Sequence, residues 1–66
     1  GRRIMYIYKI YQERNGVKLN LEYVVSEDNE SAKESDARAQ KVLEDRRAKS
    51  SKPHEVQMSR SLMPGI

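Results

Sequence analysis

Residues 4–26 read IMYIYKIYQERNGVKLNLEYVVS, two runs of alternating apolar residues on either side of Asn15-Gly16. A two-residue hairpin turn of the I′ type needs positive φ at both central positions, which Asn tolerates and Gly adopts freely. With that pair at the tip, the register follows by counting. Arg14 faces Val17, Glu13 faces Lys18, Ile10 faces Leu21, Lys9 faces Glu22 and Tyr8 faces Tyr23. Side chains alternate between the faces of a strand, so Ile4, Tyr6, Tyr8, Ile10, Leu19, Leu21, Tyr23 and Val25 are expected on one face. The other face takes Lys9, Tyr11, Glu13, Lys18, Asn20 and Glu22, with Lys9 opposite Glu22 and Glu13 opposite Lys18. Opposite charges directly across a ladder stabilise it. They support the register independently, having played no part in choosing it.

Working outward, the chain turns abruptly polar at Glu27-Asp28-Asn29-Glu30, and Ser31-Ala32-Lys33-Glu34 then fits a capping box. In such a box the Ser hydroxyl accepts the amide hydrogen three residues on, and the Glu reaches back to the cap amide. From there to Lys49 there is neither Gly nor Pro, and helix formers predominate. The reading is an α+β fold with strands over about 4–13 and 17–26 and a helix over about 31–49, a ββα unit in residues 1–50. Glu34 to Arg38 and Asp45 to Lys49 are spaced for ion pairs on the helix surface.

The helix offers little cover. Its inward stripe is Ala32, Ser35, Ala39, Val42, Leu43 and Arg46, in which only Val42 and Leu43 are large and apolar. Eight apolar residues on the hairpin face exceed that cover, and Met5, Ile7 and Val24 on the opposite face are apolar too. An isolated hairpin is marginal in water and exposes unpaired edges. Something else must therefore complete the sheet, and a second copy making a homodimer is the expected source, with the tail 51–66 as the alternative. That tail reads as a short second helix capped by Ser51, with Pro53 in its first turn and Pro64-Gly65 at its end, or else as disordered chain.

Sixty-six residues make one domain at most, burying only about 60% of the surface the unfolded chain exposes. Cysteine is absent, which removes disulfides and thiolate metal sites. No apolar run approaches the roughly 20 residues that cross a bilayer, so the expectation is a cytoplasmic protein with no membrane partner. Net charge is +3, distributed as +4 over residues 1–18, −5 over 19–36, +4 over 37–52 and zero thereafter. Gly1-Arg2-Arg3-Ile4 before Met5 looks like a cleaved tag or an excised fragment, and without the two arginines the net charge is +1.

Enzyme chemistry finds no footing. The single histidine, His54, stands beside Pro53 in a connection, and no nucleophile and base pair accompanies it. Residues 27–30 lack the glycine and the spacing of a calcium loop. No cofactor motif is present, so a non-enzymatic protein is expected, with no cofactor and no metal.

Two interaction readings remain. The first is a small homodimeric accessory protein that binds a protein partner through its hairpin face or edge, with Ile4, Tyr6, Ile7, Tyr8, Ile10, Leu21, Tyr23 and Val24 as interface candidates. The second is a nucleic-acid-binding module. Arg46, Arg47, Lys49 and Lys52 put four cations at the helix C-terminus, and Lys9, Arg14 and Lys18 lie near the hairpin tip. A helix C-terminus favours cations for its own dipole, which accounts for the cluster structurally. Of the tyrosines, Tyr11 shares the charged face with Lys9 and Lys18 and is the best placed to stack on a base. In topology alone, a hairpin followed by a helix is loosely similar to the arm-binding modules of tyrosine recombinases, in which a sheet enters the major groove. Those modules have a third strand for which the sequence shows no counterpart, and no residue carries the likeness.

Overall fold

The computed structural model describes residues 5–63 and shows a three-stranded antiparallel sheet backed on one face by one helix. The elements are β1 (Tyr6–Arg14), β2 (Val17–Val25), α1 (Ala32–Lys49), a single 3₁₀ turn (Pro53–Glu55) and β3 (Val56–Leu62). The strand order is β2-β1-β3. Ile4 and the Pro64-Gly65 stop lie outside the described residues.

The turn forms as its residues dictate, with φ of 53° at Asn15 and 80° at Gly16. From the tip the counted register holds for four pairs, Arg14 with Val17 through Tyr11 with Asn20. It then slips. Leu21 is the extra residue of a bulge, and beyond it Ile10 pairs with Glu22, Lys9 with Tyr23, Tyr8 with Val24 and Ile7 with Val25. A slip of one residue exchanges the faces. Val24 is therefore buried beneath the helix while Tyr23, expected on that face, is 52% exposed on the other. The expected Lys9 to Glu22 pair gives way to a contact of 2.7 Å between Glu22 and Arg46 of α1.

The helix begins where its cap requires. The Glu34 amide donates to Ser31 Oγ at 3.2 Å, and the Ser31 amide donates to Glu34 Oε1 at 2.9 Å. The expected Glu34 to Arg38 pair is absent. Arg38 reaches instead to Glu30 at 2.8 Å and to the Val25 carbonyl, pinning the β2–α1 connection. Asp45 and Lys49 do pair, at 3.1 Å. Ser35, Ala39 and Leu43 are the buried stripe of α1.

The tail is neither a helix nor loose chain. Val56, Met58 and Leu62 alternate with Gln57, Ser59 and Ser61, and the segment pairs with the free edge of β1, from Gln12 with Val56 to Tyr6 with Leu62. The third strand thus comes from the chain itself. Its entry is locked by Glu55, which accepts from Gln12 Nε2 at 2.8 Å and pairs with Arg14 at 3.2 Å. The core is Tyr8, Ile10, Val24, Ala39, Leu43 and Val56, with Tyr6, Leu21, Val42 and Met58 packed around it. Tyr8 brings a polar atom into this core and has it satisfied. Its hydroxyl donates to the Asp36 carboxylate and lies 3.0 Å from Ser35 Oγ, while Arg60 pairs with Asp36 at 3.1 Å and stacks over the Tyr6 ring. Burial, then the Asp36 carboxylate, pushes the Tyr8 hydroxyl above the ordinary phenol range.

Acid sensitivity follows from these pairs. The Arg38 hydrogen bonds, then the Glu27 amide, hold the Glu30 carboxyl down to about 2 from an ordinary 4.5. Because the folded value lies below the unfolded one, the stabilisation is complete above about pH 4.5 and is lost as the pH falls toward 2. Asp36, held low by Tyr8 and then Arg60, and Glu55, held low by Gln12 and then Arg14, act in the same direction. Thermal melts between roughly pH 5 and pH 2.5 are expected to show a falling Tm, less steep in Glu30→Gln but not flat. An equal slope in that variant would remove Glu30 from this account.

Candidate functional site

A helix on one side of a sheet leaves the other side uncovered, and among the described residues nothing packs on it. Three rows of side chains cross this open face. Tyr23, Lys9 and Ser59 form one row, Asn20, Tyr11 and Gln57 the next, and Val25, Ile7 and Ser61 the third. Beyond Tyr11, toward the turn, Glu13 lies opposite Lys18. The Lys18 ammonium sits 5.1 Å from the centre of the Tyr11 ring, and Asn20 Nδ2 donates to the Tyr23 hydroxyl at 3.4 Å. A shallow hollow of about 410 Å³ adjoins Tyr11, lined also by Glu13, Arg14, Asn15, His54, Glu55 and Gln57.

The chemistry of this face is mixed in a particular way. Two tyrosine rings stand on adjacent strands with lysines on both sides, and the Asn20 and Gln57 amides flank Tyr11 on its two sides. Among the described strand residues of this face Glu13 is the one acid, with Lys18 directly across. Protein-binding surfaces are enriched in tyrosine but depleted in lysine. Aromatic rings with interleaved cations and amides suit unstacked bases and phosphates better.

The seven basic candidates do not form one surface. Lys9 and Lys18 lie on the open face, and the others lie elsewhere. Arg14 pairs with Glu55, Arg46 with Glu22 and Lys49 with Asp45, while Arg47 Nε donates to the Val56 carbonyl at 3.0 Å and caps the β3 entry. Lys52 is exposed in the loop after α1. The sheet stands between Lys9 and Lys18 and the helix C-terminus, so no flat ligand touches both groups.

The interface candidates divide as well. Tyr8, Ile10 and Val24 are core, and Tyr6 and Leu21 are packed against it. Ile7 and Tyr23 are on the open face, half-buried and exposed respectively. The bulge and β3 together account for what sequence reasoning missed. The bulge delivers Tyr23 beside Lys9, and β3 delivers Gln57 and Ser59. The period-two alternation of residues 56–62 was the legible signal for that strand. Among the described residues no group of three His, Cys, Asp or Glu is placed to hold a metal, and no helix is long and apolar enough to cross a membrane. No protein-family model matches the chain, and no curated protein or solved structure does.

Proposed function

We propose that the protein is a non-enzymatic module that binds single-stranded nucleic acid on its open sheet face. The observation that carries this reading is the row arrangement that sets Tyr11 and Tyr23 on neighbouring strands with Lys9 and Lys18 beside them on an uncovered surface. Bases stack on the two rings, the lysines meet the phosphates, and the Asn20 and Gln57 amides are within reach of base edges. The protein-partner reading drew its motive from hairpin surface left uncovered. With Tyr8, Ile10 and Val24 buried by the chain's own helix and third strand, most of that motive is gone.

Each stacked base contributes about 1–3 kcal/mol by alanine substitution. Tyr11→Ala and Tyr23→Ala are therefore each expected to weaken binding to a labelled DNA or RNA oligonucleotide by roughly 5- to 150-fold. Tyr23 is half exposed, so its removal leaves the fold intact and the loss reports on binding. With two lysines engaged, log K is expected to fall with log salt at a slope of about −1.4 for single strands. Unchanged affinity in both tyrosine variants, or losses confined to Lys49→Ala and Lys52→Ala, would place the site elsewhere.

A further inference from the structure

At the turn end of the molecule the sheet outruns its helix. α1 ends level with Gln12 and Val56, and beyond that point Val17 and Leu19, on the helix side of β2, are 70% and 62% exposed. They border a hollow of about 400 Å³ that includes Gln12. A second hollow, of about 180 Å³, starts from the same Gln12 and runs over Leu21 and Val56 to Arg46 and Lys49. The result is a groove with an apolar floor and a basic end. Arg46 and Lys49 line that end and pair with Glu22 and Asp45, and Arg14 of the first hollow pairs with Glu55. Arg47 and Lys52, next to this end in the chain but outside the lining, leave a surplus of +2 in the neighbourhood. The C-terminal end of the helix dipole attracts cations to this place for the fold's sake, but it does not account for uncovered valine and leucine beside them.

We infer that this groove docks a short, extended, acidic segment of a partner protein, with apolar side chains covering Val17 and Leu19 and carboxylates meeting the cations at the end of α1. The apolar floor disfavours a nucleic-acid strand there, and the charge surplus disfavours a basic or neutral peptide. The neighbouring edge fits as well. β2 is an outer strand of the sheet, so its backbone between Val17 and Asn20 is open to strand addition, and the bulge at Leu21 ends the ladder after those residues. The inference does not depend on the open-face reading, since the two surfaces lie on opposite sides of the sheet.

The test uses the full chain and three short fluorescent peptides, one alternating Leu and Glu, one alternating Leu and Lys, and one with Ser in place of each Leu of the first. Anisotropy is expected to show binding of the Leu/Glu peptide alone. Leu19→Glu should weaken it about tenfold or more, with its thermal melt unchanged because Leu19 is 62% exposed, and Lys49→Gln by a smaller factor. Equal binding of the Leu/Lys or the Ser/Glu peptide, no binding of any, or no effect of Leu19→Glu overturns the inference. So does a concentration-dependent dimer in sedimentation that Leu19→Glu abolishes, which would assign the groove to a second copy.

Discussion

Ile10→Ala is expected to cost about 2–5 kcal/mol, the usual range for deleting most of a fully buried isoleucine. Ile10 sits on the central strand, opposite Glu22 on one side and Met58 on the other, and is 0% exposed. A single core in a chain this short rarely supplies more than about 3–5 kcal/mol in total. The variant should therefore be largely unfolded at room temperature, or melt lower by about 10 °C or more. Circular dichroism melts measure it, with Ile7→Ala as the comparison. Ile7 is only half-buried, on the open face, and its truncation should cost clearly less. Equal losses would mean that something covers the open face in solution, and the nucleic-acid reading would lose its surface.

Ending the chain at Lys52 is the second change with a large expected effect. It removes β3, and with it Val56 from the core, Met58 from its margin, and the Glu55 and Arg60 pairs with Arg14 and Asp36. The remaining hairpin and helix are the ββα unit that the sequence pattern reads as incomplete by itself, needing a second copy or the tail to finish its sheet. Hairpins of two strands are marginal, and here one whole edge of β1 would stand unpaired. The shortened chain is expected to show no cooperative thermal transition and a collapsed amide proton spectrum. A cooperative melt would show that residues 1–52 fold without the third strand. If that melt also shifted upward with protein concentration, a second copy would be filling the vacated edge of β1.

How much was legible depended on how local the cause was. The hairpin tip, the four nearest pairs and the capping box at Ser31 all rest on interactions within a few residues. Each was read correctly because a φ preference or a short-range hydrogen bond decides it. The helix stripe was also legible, since Ser35, Ala39 and Leu43 recur at helical spacing. Beyond the tip the reading failed by one residue at Leu21, and this one residue moved Tyr23 and Val24 to opposite faces. Strict alternation gives no warning of a bulge when both registers offer apolar side chains. Only the approach of α1 separates them, because the slipped register brings Glu22 to Arg46 and fits the smaller Val24 under the helix.

The third strand was misread for a related reason. Residues 56–62 alternate with period two, but Arg60 stands at an inward position where an apolar residue would be expected. Its guanidinium is accommodated by Asp36 and the Tyr6 ring, partners that come together only once α1 and β1 are in place. The basic cluster was legible as composition but not as a surface. Which of its members stay available was settled by Glu22 and Glu55, 24 and 41 residues from their partners, and by the Val56 carbonyl nine residues beyond Arg47.

By itself, then, the sequence determined the turn, the cap, the helix and the alternating character of the strands, since these depend on backbone preferences and neighbours within a turn's reach. Tertiary structure alone decided the bulge, the tail's place at the edge of β1 and the division of the tyrosines and lysines between a covered and an open face. Those outcomes rest on contacts between residues far apart in the chain, such as Arg46 with Glu22, 24 apart, and Gln12 with Glu55, 43 apart. Near-equal local alternatives differ in energy only when such contacts form.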